Sequence, residues 1–455
     1  MNKKPKIIVL DDDPTGSQTV HSCLLLMRWD VETLRTGLQD DSPIFFVLTN
    51  TRSLPPESAA SVTKEVCSNL KLALKAEEVN DFLIVSRSDS TLRGHYPIET
   101  DVIAAELGPF DAHFLVPAFF VGVGEASASE ASRREGGRIT CDSTHYLIID
   151  GVPTPVHETE FARDSVFGYH YSYLPKYVEE KTQGRISADA VERFLLADIR
   201  GGSLEKLMKL SGNQCAVVDG ETQADLNRFA EDLLIAASQG KRFLFRSAAS
   251  ILTALAALPP QAIAAENMAS YVRSGKPGAV IVGSHVKKTT QQLEKLLQAD
   301  GTAGIEVNVE RLLDESNQSA TLLTEILEST QTAHKAGKTP VVYTSRQELS
   351  FKDVKTRLDF GEKVSGLLMD IVRGLPSDIG FLISKGGITS NDVLSNGLAL
   401  TSARLLGQIL AGCSMVITPS DHPQFPNLPV VLFPGNVGDA DALATVYLRL
   451  TKNTG

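Results

Sequence analysis

The chain has 455 residues, 42% of them hydrophobic and 22% charged, with a formal net charge of −11. That length and apolar content suffice for more than one hydrophobic core, while the acidic balance, with no Lys/Arg cluster interleaved with aromatics, argues against nucleic acid as a partner. The five cysteines are odd in number, far apart and never in a C-x-x-C pair, so neither a disulfide framework nor a cysteine zinc site is indicated.

Residues 1–6 lead directly into an apolar run without the segment of a secretory signal, and no run reaches the length of a bilayer span. A cytoplasmic protein with no membrane partner is expected. Short β-rich runs at Ile7 to Leu10, Ile44 to Leu48, Phe82 to Val85 and His113 to Val116 alternate with helical patterns at Ala59 to Ala76 and Ile98 to Leu107. Runs at Ala216 to Val218 and Phe243 to Phe245 flank the amphipathic stretch Gln223 to Ala237, which carries this α/β series to about Ala257. Pro259-Pro260 punctuates the chain, and the segment 259–277, with a helix and the turn Ser274-Gly275-Lys276-Pro277-Gly278, reads as a linker. A second series follows. Its predicted strands are Ala279 to Val282, Ile305 to Val309, Val341 to Tyr343, Phe381 to Ile383, Met415 to Ile417 and Val430 to Phe433. Its predicted helices are Gln291 to Leu297, Leu322 to His334, Glu362 to Val372, Ser402 to Leu410 and Ala440 to Leu450. The pattern predicts two α/β domains with largely parallel sheets facing an interdomain cleft, spanning 1–258 and 278–455. One stretch breaks the alternation: the small, polar run 121–134 reads as a surface insertion or a lid.

Chemistry-bearing residues concentrate where predicted strands end, the place where open parallel sheets bind ligands. Asp11-Asp12-Asp13-Pro14-Thr15-Gly16-Ser17-Gln18-Thr19 follows the first strand and combines carboxylates, hydroxyls and chain-bending residues, a set suited to a polyhydroxylated substrate; its ordinary alternative is a capped surface turn. Thr49-Asn50-Thr51-Arg52 follows the second strand and adds Asn50 and Arg52 to the same edge. Ser86-Arg87-Ser88-Asp89-Ser90-Thr91-Leu92-Arg93-Gly94-His95 follows the third, where the forks of Arg87 and Arg93 suit a carboxylate or a transferring phosphoryl group, unless they are solvated residues of a helix start. Gly136-Gly137-Arg138, ahead of a hairpin predicted over Tyr146 to Val156, supplies a further arginine, and His95 is placed to line the mouth.

The second half offers glycine turns. Gly283-Ser284-His285-Val286-Lys287-Lys288 has the glycine spacing of a Walker motif with Gly278, but Ser284-His285 stands where Lys-Ser/Thr would, which excludes a true P-loop. Ser384-Lys385-Gly386-Gly387-Ile388-Thr389-Ser390-Asn391-Asp392 joins a strand to a helix, with Thr389, Ser390 and Asp392 as expected caps, and is the foremost nucleotide-loop candidate. Pro434-Gly435-Asn436-Val437-Gly438 is a third such turn.

At these residues the chain resembles, over nearly its whole length, the four-carbon acid sugar kinase family, once a domain-of-unknown-function family. The family's D-D-x-T-G motif falls on Asp12, Asp13, Thr15 and Gly16, its D-S-T-L-R-G motif on Asp89 through Gly94, and its glycine-rich motifs at Gly283-Ser284, Lys385 to Ser390 and Pro434 to Gly438. The resemblance implies an acid-sugar-binding N-terminal domain, an ATP-binding C-terminal domain, and phosphorylation of a tetronate or 3-oxo-tetronate at its terminal hydroxyl. It implies Asp12, Asp13, Arg87 and Asp89 as catalytic residues, with Thr15, Asn50, Arg52, Arg93 and Arg138 on the substrate. Ser284, Lys385, Gly386, Gly387, Ile388, Thr389, Gly435, Asn436 and Gly438 fall to the nucleotide. In that scheme Arg87 and Arg93 anchor the carboxylate and Asp12 or Asp13 receives the proton; Mg²⁺ is expected from the chemistry, with its ligands and any homo-oligomeric state left open. Two departures stand out: Ser17-Gln18-Thr19 where many members carry an aspartate, and Lys385-Gly386-Gly387-Ile388-Thr389 where others have Ser-Gly-Gly-Glu-Thr. The rival functions are an ATP-dependent ligase that activates the carboxylate, and a non-catalytic sugar-acid sensor.

Overall fold

The computed structural model describes residues 5–14, 16–120, 136–273, 275–313, 318–346, 349, 351–435 and 437–452. The run 121–134, Thr15 and Asn436 lie outside the described residues. The chain divides into two compact units, Met1–Pro259 and Pro260–Gly455, and each is a mixed α/β layer structure.

In the first unit the strands are β1 Lys6–Asp11, β2 Leu24–Leu26, β3 Ile44–Leu48, β4 Phe82–Arg87, β5 Ala112–Val116, β6 Arg138–Cys141, β7 Thr144–Ile149, β8 Val152–Pro155, β9 Glu192–Phe194, β10 Gln214–Val218 and β11 Phe243–Ser247. Eight of them pair in the order β2-β3-β1-β4-β11-β5-β10-β9, every pairing parallel. Their sequences are unbroken apolar runs because helices cover both faces: β1, β3, β4 and β5 are buried almost throughout. Phe114 sits at the centre of one face, its ring 5.4 to 5.8 Å from those of Phe194, Phe229, Phe243 and Phe245. The expected hairpin is present: β6, β7 and β8 form a small antiparallel sheet. Asp150 and Gly151 both take positive φ at its turn, the type I′ geometry that matches strand twist.

The chain leaves β1 for β3 on one side and reaches β4 on the other, so the order reverses at β1/β4. That reversal opens a crevice beyond the carboxyl ends of these two strands, at Asp11 and Arg87, which lie side by side in the register.

The second unit repeats the device. Its strands are β12 Ala279–Val282, β13 Thr302–Val307, β14 Thr339–Thr344, β15 Leu382–Lys385, β16 Ser402–Leu410, β17 Cys413–Ile417 and β18 Pro429–Phe433. They run β13-β14-β12-β15-β18-β17-β16, parallel through β18 and antiparallel for the last two pairings. Here the order reverses at β12/β15, which sets Gly283 and Gly386 at the crevice. Residues 260–277 belong to this unit: Met268 is in its core, and the Arg273 guanidinium donates to the carbonyls of Ser377, Ile379 and Pro426.

Several expectations are corrected. Ser402–Leu410 is a strand, not a helix; its burial alternates strictly, with Ala403, Leu405, Gly407 and Ile409 inward, a period of two that the Leu-Leu pair disguises. The helix expected between Pro259 and Pro277 is a 3₁₀ segment, Ala265–Tyr271. The helix expected from Gln291 begins at Lys287, and Thr389, Ser390 and Asp392 lie inside the helix Gly387–Asp392 instead of capping it.

Candidate active site

β1 delivers Asp11 to the crevice with no exposure. One of its carboxylate oxygens faces Arg87 Nη1 at 3.4 Å, the other has no partner among the described residues, and burial pushes the group up to about 7 against the attraction of Arg87. Gly16 is required here by close approach: a Cβ on it would lie about 2.0 Å from Asp11 Oδ1. The glycine of the D-D-x-T-G motif thus folds the loop down onto the strand-end carboxylate.

Asp12 is also buried. It accepts from Arg52 Nη2 at 2.5 Å and Nε at 3.2 Å, a forked pair, and from Ser88 Oγ at 2.7 Å. Asp13 differs: its side chain keeps 24% exposure and meets Arg52 Nη1 at 3.5 Å. Burial opposes the Arg52 charge, yet the carboxylates of Asp12, Asp13 and Asp89 hold Arg52 well above its ordinary value. Asn50, in the left-handed region at φ 51°, turns the chain so that Arg52 reaches this group.

After β4, Asp89 accepts from Thr91 Oγ1 and from Arg93 Nε at 2.8 Å. Burial works to raise it, but Arg52 and Arg93 prevail and hold it below the usual carboxylate range. Arg93 also faces Asp164 at 3.8 Å and lies over the Phe161 ring. Gly94, at φ 129°, brings its backbone where a Cβ would strike Arg246 Nη2 and Ser88 Oγ. His95 does not line the mouth; it is buried, bonded to the carbonyls of Thr51 and Leu54. Arg138 begins β6 beside Phe119, just past β5.

Two groups at this edge escaped the sequence reading. Arg246, on β11, donates to Glu99 at 2.5 Å and to Ser86 and Ser88; Glu99 also accepts from Thr51 at 2.6 Å. The strand-end rule that found Arg87 could have found Arg246, since both lie one residue or less from the end of a central strand. Asp11 was legible as part of the carboxylate row after the first strand, without a role of its own. A small cleft lined by Ser88, Asp89, Arg93, Tyr177 and Arg246 joins these side chains.

In the second unit a cavity of about 520 Å³ lies at the β12/β15 reversal. Gly283, Ser284, Gly386, Gly387, Thr389 and Gly435 form one wall. A Cβ on Gly283 would meet Thr389 Oγ1 at 2.3 Å, and Gly386, at φ 122°, has Thr389 and Ser284 within 3.3 Å of its virtual Cβ. Phe351, Phe360, Leu368 and Met369 add an apolar lining, the two rings 5.1 Å apart. Phe360, Leu368 and Met369, on the helix Val354–Arg373, were invisible as site residues because, in a sequence, a helix face that lines a cavity looks like one that packs a core. Ile388 lines the cavity with 68% exposure.

Lys385 is fully buried. Its Nζ donates to the carbonyls of Pro434 at 2.6 Å and Gly435 at 3.3 Å over the Phe433 ring, and burial pushes it down to about 7. Lys385 therefore ties the β18 turn to β15 and is not among the residues lining the cavity. Gly438 is likewise outside the lining; Gln292 holds its loop through the carbonyls of Val437 and Asp439. Asp392, bonded by Ser365, is the acidic residue of the cavity wall among the described residues. Among the described residues no group of three His, Cys, Asp or Glu side chains is placed to hold a metal ion, and no helix is long and apolar enough to cross a membrane.

Two reversal-point sites, one carboxylate-and-guanidinium, the other glycine-and-apolar, describe a protein that binds two kinds of small molecule. Comparison with known families agrees: residues 7–255 match the sugar-binding N-terminal domain and residues 279–443 the nucleotide-binding C-terminal domain, and the chain belongs to the family built from this pair, consistent with the four-carbon acid sugar kinases. Among solved structures it is similar to a putative tRNA synthase from Salmonella typhimurium LT2, at 18% identity and TM-score 0.71 with both chains fully covered. It is also similar to a Haemophilus influenzae protein of the DUF1537 family, at 17% identity and TM-score 0.62, covering 97% of this chain and 100% of the other. These likenesses establish the fold. Among curated proteins none matches significantly in sequence.

Proposed function

We propose that this protein is an ATP-dependent kinase that phosphorylates the terminal hydroxyl of a four-carbon acid sugar, a tetronate or 3-oxo-tetronate. The observation that carries the reading is the pairing, in one chain, of a buried acid–arginine crevice in the unit matching sugar-binding domains with a glycine-walled cavity in the unit matching nucleotide-binding domains. The cavity volume of about 520 Å³ falls within the range of cofactor-sized sites.

Phosphoryl transfer is mostly positioning and charge neutralisation, so a carboxylate base need contribute only about 10²- to 10⁴-fold. Asp13, the more exposed acid, receives the hydroxyl proton. Asp12, already committed to Arg52 and Ser88, fixes the loop that carries Asp13. Asp89 and Asn50 orient substrate hydroxyls, and the guanidiniums of the crevice balance the negative charge that substrate and phosphate bring together. In the second unit Gly386 and Gly387 allow the backbone to approach phosphates, and the Phe351/Phe360 wall suits the base. Asp392, the carboxylate among the described residues of the cavity lining, would hold a magnesium ion carried in with the nucleotide, which would supply neutralisation of phosphate charge.

The reading is tested by a coupled ADP-release screen over four-carbon sugar acids with hydroxylamine present. ADP release with a phosphate monoester as product and no hydroxamate is expected. Hydroxamate formation would instead establish carboxylate activation, and tight sugar-acid binding without ADP release from any member would leave a sensor.

A further inference from the structure

The arginines of the first unit's crevice are not equivalent. Arg52 is forked onto Asp12, Arg87 faces Asp11 at 3.4 Å, Arg93 meets Asp89 at 2.8 Å and Arg246 meets Glu99 at 2.5 Å. Each of these guanidiniums carries an internal carboxylate, including Arg87 and Arg93, which the sequence marks as anchors. Arg138 has none among the described residues. Its Nη1 donates to the Gly136 carbonyl, its guanidinium lies 5.5 Å from the centre of the Phe119 ring, and its Nε is buried without a partner among the described residues.

The fold holds this residue firmly. Arg138 and Phe119 exchange backbone hydrogen bonds of 2.7 and 2.9 Å three residues beyond the end of β5, and β6 is paired on its other side with β7 through Arg138 and Leu147. The side chain thus stands at the carboxyl edge of the large sheet, the edge that carries Asp89 and Arg93. Burial drives its charge down and Arg93 adds to the effect, with Asp89 alone opposing. Desolvating a guanidinium without an anion is unfavourable, and a ligand that brings the anion recovers the loss.

We infer that Arg138 receives the carboxylate of the bound ligand, which makes it the residue by which the first unit separates a sugar acid from the neutral sugar of the same skeleton. The inference rests on the reading of this crevice as the acid-sugar site; with Nη1 held by the Gly136 carbonyl, Nε is, among the described residues, the donor left for a carboxylate oxygen.

The test is a cycle of protein and ligand changes, read by calorimetric binding to the full chain without nucleotide so that turnover plays no part. The tetronates, the corresponding tetritols and a tetritol phosphate are titrated into the wild type, Arg138→Gln and Arg138→Lys. Expected is a loss of about 30-fold or more for the acid in Arg138→Gln, less than threefold for the tetritol, and partial recovery in Arg138→Lys. Equal losses for acid and tetritol, or none, would overturn the assignment, as would a loss confined to the phosphate. Should Arg138→Gln fail to fold, the acid-to-tetritol affinity ratio of Arg138→Lys decides alone: a ratio equal to wild type overturns it. Should the wild type bind no tetronate, the kinase reading fails by itself, and the same cycle over three- to six-carbon sugar acids and their polyols decides the role of Arg138.

Discussion

Asp12 and Asp13 adjoin in sequence but not in environment: the first is sealed into a forked pair with Arg52, the second keeps a quarter of its side chain exposed. A base must reach the proton it abstracts, so the two substitutions should separate. Asp13→Asn is expected to lower kcat about 10²- to 10⁴-fold with ATP affinity nearly unchanged, whereas Asp12→Asn, which removes charge from a buried pair, should also lower the melting temperature. An Asp13→Asn enzyme with wild-type turnover would take that residue out of the base role. Asp11 makes a different prediction. Its carboxyl is raised to about 7 from 3.8, so between those values the folded chain holds a proton that the unfolded chain has released. Its stabilising contribution is therefore whole below about pH 4 and is lost as pH rises through about 7. Asn cannot titrate, so the stability of Asp11→Asn relative to wild type should improve steadily across that window in denaturant melts. Parallel pH profiles for the two proteins would show that Asp11 does not titrate there.

At the scale of elements, the parallel strands were legible because they are buried on both faces and read as unbroken apolar runs, and their ends were legible because polar residues crowd abruptly after them. Asp12, Arg87, Ser284 and Gly386 were all found by that one signal. It fails where tertiary context sets the pattern. Ser402–Leu410 is buried on one face only and interrupted by Leu405-Leu406, so its period of two was obscured; the antiparallel partner Cys413–Ile417 that fixes it cannot be seen locally. Arg138 was found as an arginine near a turn, but its lack of a carboxylate partner among the described residues is a property of packing alone. The loop after β15 gives the element-scale test. Gly386 takes φ 122° with Thr389 Oγ1 3.0 Å from a virtual Cβ, a conformation that costs an L side chain on the order of 1 to 3 kcal/mol. Gly386→Ala should therefore distort the turn and weaken ATP binding by about tenfold or more, measured by equilibrium titration; an unaltered ATP affinity would remove this loop from the nucleotide site.

For the whole molecule the two matched domains, residues 7–255 and 279–443, fall within separate compact units, and each unit carries its own reversal-point site. If the units divide the work of binding, a lesion in one site changes one affinity. Arg93 holds Asp89 at 2.8 Å and supports the crevice, so Arg93→Ala should raise the KM for the sugar acid by about 10- to 100-fold and leave ATP affinity within about twofold. Gly386→Ala should do the reverse, raising the KM for ATP while direct titration of the sugar acid stays near wild type. Phosphoryl transfer needs both ligands, so kcat/KM for ADP release should fall in both variants although each loses only one binding function. Combining the substitutions then discriminates between independent sites and coupled ones. Sites that share no partners give additive losses to within about 0.5 kcal/mol, and this is the expected outcome for ligand binding. A binding loss in the double variant far from the sum, or an Arg93→Ala enzyme whose defect lies in ATP affinity, would move the arginine to the phosphate side and end the division of labour.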